Sequence, residues 1–160
     1  MTRALKTIKE FCLVHQESIA VAESVTAGCI QTLLSTEKDA ENFFHGGITV
    51  YNTAQKTRHL NIEPIYALRC NAVDLHISIK MAQEVCSLFC SSIGIASTGY
   101  AAPFPEKNIK NPFAFMAIVF NGEVLFAKKI MAVSKNYGLD IQREYAENII
   151  EVLARIINNQ

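Results

Sequence analysis

The chain has 160 residues, half of them hydrophobic and 19% charged, with 15 basic residues set against 15 acidic ones. That length buries a substantial single core without staples, and the even charge balance argues against a general binder of nucleic acid or of an acidic membrane surface. The start, Met1-Thr2-Arg3-Ala4-Leu5-Lys6, lacks a signal-peptide core, and no apolar run approaches the roughly 18 residues that span a bilayer, so a cytoplasmic location is expected. Taken in chain order, Leu5, Ile8, Phe11, Cys12 and His15 recur at helical spacing and make the first sixteen residues an amphipathic helix. Ser18 to Glu23 reads as a strand, Thr26 to Leu34 as a helix, and Ser35 to Asn42 as a polar turn. Gly46-Gly47 precedes a β-branched run, Ile48 to Tyr51, expected as the next strand.

Thr53 to Leu60 reads as a short helix capped by Asn52 or Thr53. The stretch from Asn61 to Asp74 is expected to be irregular or only briefly helical. From Leu75 to Cys90, Ile79, Ala82, Val85, Cys86 and Phe89 share one helical face, and Gly94 to Ser97 begins a buried strand. Tyr100 to Asn111 has the composition of an exposed loop. Phe113 to Phe120 and Glu123 to Ile130 flank Asn121-Gly122, a strong hairpin signal. Asp140 to Ile157 closes the chain as a long helix. Helices alternating with buried strands and followed by one hairpin predict a single domain over 1–160. Its expected form is a three-layer α/β/α sandwich around a mixed, mostly parallel sheet.

The chemistry concentrates at two strand ends. Val21 to Gly28 runs a strand into a Ser-Xaa-Thr-Ala-Gly turn, which places the Ser24 hydroxyl beside the free N–H groups of a helix start. Tyr51 and Lys56 set a phenol and an amine five residues apart after another strand. A serine needs a base to attack, and a lysine whose charged form is disfavoured by burial can supply one, with a tyrosine to relay the proton. Arg58 and His59 are placed to depress the pKa of Lys56 further. By spacing alone the same residues also fit an N-cap serine, a half-buried strand aromatic and a solvated helix lysine. The loop from Thr98 also follows a strand, so Ser24, Tyr51 and Thr98 are expected to meet at one edge of the sheet. His45 beside Gly46 reads as a packing and turn residue, and Lys107 and Lys110 as loop charges within possible reach of a phosphate. The five cysteines are odd in number and include no Cys-Xaa-Xaa-Cys pair, so neither a disulfide framework nor a metal site is expected.

Taken together the segments resemble the C-terminal domain of the CinA (competence/damage-inducible) family, also known as nicotinamide-nucleotide amidohydrolase or NMN deamidase. The family's Ala-Glu-Ser-Cys-Thr-Gly-Gly signature corresponds to Ala22-Glu23-Ser24-Val25-Thr26-Ala27-Gly28. Its Tyr-Ser-Asn-Glu-Ala-Lys segment corresponds to Tyr51-Asn52-Thr53-Ala54-Gln55-Lys56 with the Tyr to Lys spacing kept. Its Gly-Ala-Val-Ser and Thr/Ser-Gly-Ile-Ala-Gly-Pro segments look like Asn71-Ala72-Val73-Asp74 and Thr98-Gly99-Tyr100-Ala101-Ala102-Pro103.

The resemblance implies hydrolysis of the carboxamide of nicotinamide mononucleotide to nicotinate mononucleotide and ammonia. Ser24 would be the nucleophile, Lys56 the general base and later acid, and Tyr51 the assistant in proton transfer. Backbone groups of Thr26, Ala27 and Gly28 would hold the oxyanion, and Thr98, Gly99, Ala101 and Ala102 would line the nucleotide site. No cofactor or metal is implied, and self-association into a homo-oligomer is. The departures from the pattern fall where a ligand would sit. Ala27, Ala102 and Ala114 stand where the family has glycine, and Asn136-Tyr137-Gly138 stands where it has an arginine. They support an alternative, a CinA-like domain that has lost the reaction and serves as a binding or scaffold protein.

Overall fold

The computed structural model describes residues 1–159 and orders its elements as α1 (Thr2–His15), β1 (Ile19–Glu23), α2 (Cys29–Ser35), β2 (Phe44–Thr49), α3 (Thr53–Leu60), α4 (Pro64–Arg69), α5 (Leu75–Phe89), β3 (Ile93–Tyr100), β4 (Phe113–Phe120), β5 (Glu123–Met131) and α6 (Leu139–Asn158). The strands form one sheet in the order β2-β1-β3-β4-β5. β1 pairs in parallel with β2 and β3, and β3–β4 and β4–β5 are antiparallel, so β4 alone runs against the rest.

The side-chain alternation along the central strands sets the layers. Ile19 and Val21 of β1 and Ile93 and Ile95 of β3 point into a core shared with α1, α2 and α6, where Ile8, Leu34, Tyr145 and Ile149 are fully buried. The intervening Ala20, Ala22 and Ala96 face α3, α4 and α5 and meet Leu60, Ala67, Met81 and Val85. Small residues on that face let α5 lie close. A Cβ on Gly94 would stand 2.0 Å from the Ala82 carbonyl oxygen. The result is the α/β/α sandwich with a mixed sheet that the alternation of elements predicts.

Several boundaries differ from the sequence reading for local reasons. α2 begins at Cys29 rather than Thr26, because Ala27 (φ 49) and Gly28 (φ 101) are left-handed and hold the preceding residues in a turn. β2 starts at Phe44 and takes in Gly46-Gly47, which read as punctuation. Gly46 has φ 126 where the register against β1 slips, and a Cβ on Gly47 would stand 2.6 Å from the Val21 carbonyl oxygen. β3 runs past Ser97 to Tyr100 because its partner β4 continues to Phe113. The segment after Asn61 is briefly helical, within the sequence expectation, as α4, with Pro64 in its first turn and Glu63 accepting from Ile65 N at 2.9 Å. Among the described residues no helix is long and apolar enough to cross a membrane.

Candidate active site

The C-terminal ends of β1, β2 and β3 open into a cavity of about 520 Å³, large enough for a mononucleotide-sized ligand. Each of those strands is followed by a segment that reaches the cavity. Ser24 follows β1, Tyr51 and Asn52 follow β2, and Gly99 to Phe104 leave the end of β3. From outside the parallel strands, Lys56 on α3, Asn71 and Val73 before α5, and Gly138 and Gln142 at the start of α6 complete the wall. Tyr145 of α6 donates its hydroxyl to the Tyr100 carbonyl at 3.3 Å, which ties α6 to the end of β3.

Lys56 is buried, with 2% of its surface exposed. Its Nζ donates to Thr98 Oγ1 at 2.8 Å and to the Ala72 carbonyl at 3.0 Å, and Thr98 Oγ1 itself donates to that carbonyl at 2.8 Å. Ala72 is left-handed, φ 53, as is Asn71 before it, φ 54. The Asn52 cap fixes the start of α3 by accepting from Gln55 N at 3.0 Å. Burial lowers the lysine pKa from 10.5 to about 8, the Cys70 thiol opposes the shift, and the positive charge of Lys107 adds to it. A neutral amine held this way uses both of its N–H bonds on Thr98 and Ala72, so its lone pair is left for the cavity.

Glu23 has no exposed surface. Its carboxylate accepts from the N–H groups of Gly28 at 2.9 Å, Ile30 at 3.2 Å and Gln31 at 2.9 Å. The start of α2 is therefore capped from within the strand that precedes it. Two sequence expectations change as a result. Ser24 is not the N-cap, and the Gly28 N–H is committed to Glu23 and is not available to an oxyanion. Ser24 N donates to the Ser97 carbonyl at 3.0 Å, and Thr26 Oγ1 shares a 2.6 Å hydrogen bond with Ser97 Oγ.

Of the residues expected at the site, Ser24, Tyr51, Lys56, Gly99, Ala101 and Ala102 line the cavity together. Thr26, Ala27, Gly28 and Thr98 are absent from its wall; Thr26 and Thr98 are fully buried and act beneath it. Tyr51 is exposed rather than half-buried. Lys56 bonds to Thr98 and Ala72 and, among the described residues, makes no hydrogen bond to Ser24. Arg58 and His59 are not what depresses Lys56; Lys107 is the neighbouring cation, and His59 instead meets Gln55 Oε1 at 3.0 Å. His45 contacts the Phe89 carbonyl at 3.1 Å, in keeping with a packing role. The glycine replacements are unequal: Ala27 sits at φ 49, whereas Ala102 and Ala114 lie outside the left-handed region. Gln142 gives no signal in the sequence, since only the docking of α6 brings it to the wall.

The parallel-centred α/β/α sandwich thus carries a cavity of ligand size at its strand ends, with buried Lys56 and Ser24 in its wall. The chain belongs to the CinA C-terminal domain family, whose profile matches residues 2–157. It is 28% identical over 154 residues to the Protein MG115 homolog of Mycoplasma pneumoniae, with 96% of each chain covered. It is 32% identical over 108 residues to Protein MG115 of Mycoplasma genitalium, covering 68% of this chain and 69% of that one. The crystal structure of a competence or damage-inducible protein from Enterobacter asburiae superposes with a TM-score of 0.86 at 21% identity, over 96% of both chains. The domain is thus competence/damage-inducible-protein-like in sequence and in fold.

Proposed function

We infer that this domain is a metal-independent amidohydrolase that converts nicotinamide mononucleotide to nicotinate mononucleotide and ammonia. The observation that carries the reading is Lys56, 2% exposed and with its pKa lowered to about 8, in one cavity wall with Ser24 and Tyr51. Ser24 Oγ adds to the carboxamide carbon while its proton passes to neutral Lys56, assisted by Tyr51. The oxyanion falls to the N–H of Val25, the first amide beyond the nucleophile and part of the cavity wall. The Ser24 and Gly28 amides are already taken. Protonated Lys56 then returns the proton to the departing nitrogen, which leaves as ammonia. Water, deprotonated by Lys56, cleaves the resulting Ser24 ester to the carboxylate.

The second reading, a domain that binds without turnover, is favoured by the bonding of Lys56 to Thr98 and Ala72 in place of Ser24. A nucleophile–base hydrogen bond often forms in full only in the complex with substrate. Ammonia release from nicotinamide mononucleotide, with chromatographic identification of the product, separates the two. Ser24→Ala is expected to lower the rate by about a thousandfold or more. A folded wild-type protein that is as silent as the variant would make the binding reading the correct one. Self-association belongs to the same proposal and is read from the mass in solution by light scattering.

A further inference from the structure

The cavity wall holds two charged side chains, Lys56 and Lys107, and no carboxylate. Lys56 is at the buried floor with two of its N–H bonds committed to protein oxygens. Lys107 is exposed at the rim, and among the described residues it forms no salt bridge. Its loop is fixed by the backbone. Phe104 N donates to Ile109 O at 2.8 Å, Ile109 N to Phe104 O at 3.0 Å and Lys107 N to Phe104 O at 3.0 Å. The Lys107 ammonium lies 5.1 Å from the centre of the Phe104 ring, which itself lines the cavity 6.2 Å from Tyr100. An unpaired cation on a loop braced by its backbone, beside an aromatic wall, leaves the rim of the cavity positive and the ring faces apolar.

We propose that Lys107 takes the phosphate of a mononucleotide whose aromatic base lies deeper in the cavity, and so selects phosphorylated over unphosphorylated ligands. The assignment rests on the amidohydrolase reading for which end of the ligand lies deep, but not for the presence of an anion. A wall with two amines and no acid favours an anionic ligand whatever the chemistry at Ser24. The opposite end of such a ligand meets the serine, so phosphate recognition at Lys107 and bond cleavage at Ser24 are separable.

The test is calorimetric binding to Ser24→Ala protein, which cannot consume the probe, with Lys107 retained or replaced by Ala, Glu or Arg. The probes are nicotinamide mononucleotide, nicotinamide riboside and adenosine monophosphate. With Lys107 present, nicotinamide mononucleotide is expected to bind about tenfold or more tighter than the riboside, as one charge-assisted contact allows. Lys107→Ala and Lys107→Glu are expected to bring that ratio to within about threefold, and Lys107→Arg to preserve most of it. Lys107 is exposed, so its variants are expected to melt with the parent. An unchanged ratio in Lys107→Ala, or no binding of either phosphorylated probe, overturns the proposal. Phosphate discrimination through Lys107 alongside absent ammonia release leaves Lys107 assigned and removes only the amidohydrolase.

Discussion

At the residue scale, the base role proposed for Lys56 sets activity against stability. Its pKa is lowered from 10.5 to about 8 by burial, so the folded state binds protons less readily than the unfolded state. Below pH 8 both states carry the charge, and the native state bears the full cost, of order 3 kcal/mol. Stability is regained as pH rises from about 8 towards 10.5. Lys56→Met leaves the Ala72 carbonyl bonded to Thr98, so it is expected to raise the melting temperature at pH 7 and to lose that advantage by about pH 10. Calorimetric melts across that range check it. Wild-type kcat/KM is expected to rise with pH to a plateau with an apparent pKa near 8, and Lys56→Arg to lose the activity. Ala27 makes a second case, since its left-handed φ of 49 suits glycine. Ala27→Gly is expected to stabilise the protein by about 1 kcal/mol, read as a higher denaturant midpoint at unchanged slope.

At the scale of elements, two contacts join helices to the sheet more tightly than propensity alone. Glu23 reaches from the end of β1 to three amides around the start of α2. Glu23→Gln replaces one acceptor oxygen by a donor facing those amides, with an expected loss of about 2 kcal/mol in denaturant unfolding. Gly94→Ala drives a Cβ to 2.0 Å from the Ala82 carbonyl, so α5 must move off the sheet, at an expected cost of about 2 kcal/mol or more. Neither contact is legible in the sequence, where Glu23 reads as a polar neighbour of Ser24 and Gly94 as the start of a strand. Elements whose signal is local were legible. Asn121 and Gly122 carry φ 50 and 84, as a tight hairpin turn requires, and Asn52 caps α3. β2 lies earlier than its β-branched run predicts because its glycines serve a bulge and a close approach to β1, both of which depend on the partner strand. The same distinction runs through the site. Ser24 and Tyr51 stand just past strand ends and Lys56 on the short helix that follows, and all three could be read. Asn71 and Gln142 reach the cavity only through packing, and the commitment of the Gly28 amide to Glu23 depends on the turn at Ala27.

At the scale of the whole molecule, the site depends on strands that are not equally secure. β1 is buried along its full length between two cores and paired on both sides, and the first six residues of β3 are buried as well. β2 and β5 form the edges, with β2 largely half-buried and β5 exposing Lys128 and Lys129. Amides within β1 and the buried half of β3 can exchange only when both cores open, whereas those of an edge strand exchange through local fraying. Native-state hydrogen exchange is therefore expected to place the β1 and β3 amides at the global unfolding free energy and the outward amides of β2 and β5 well below it. Ser24 follows the first group and Tyr51 the second. The serine and the lysine-bound Thr98 thus sit on the rigid centre, while Tyr51 is carried by an edge. If the β2 amides exchange as slowly as those of β1, Tyr51 is as firmly placed as Ser24 and this difference between them disappears.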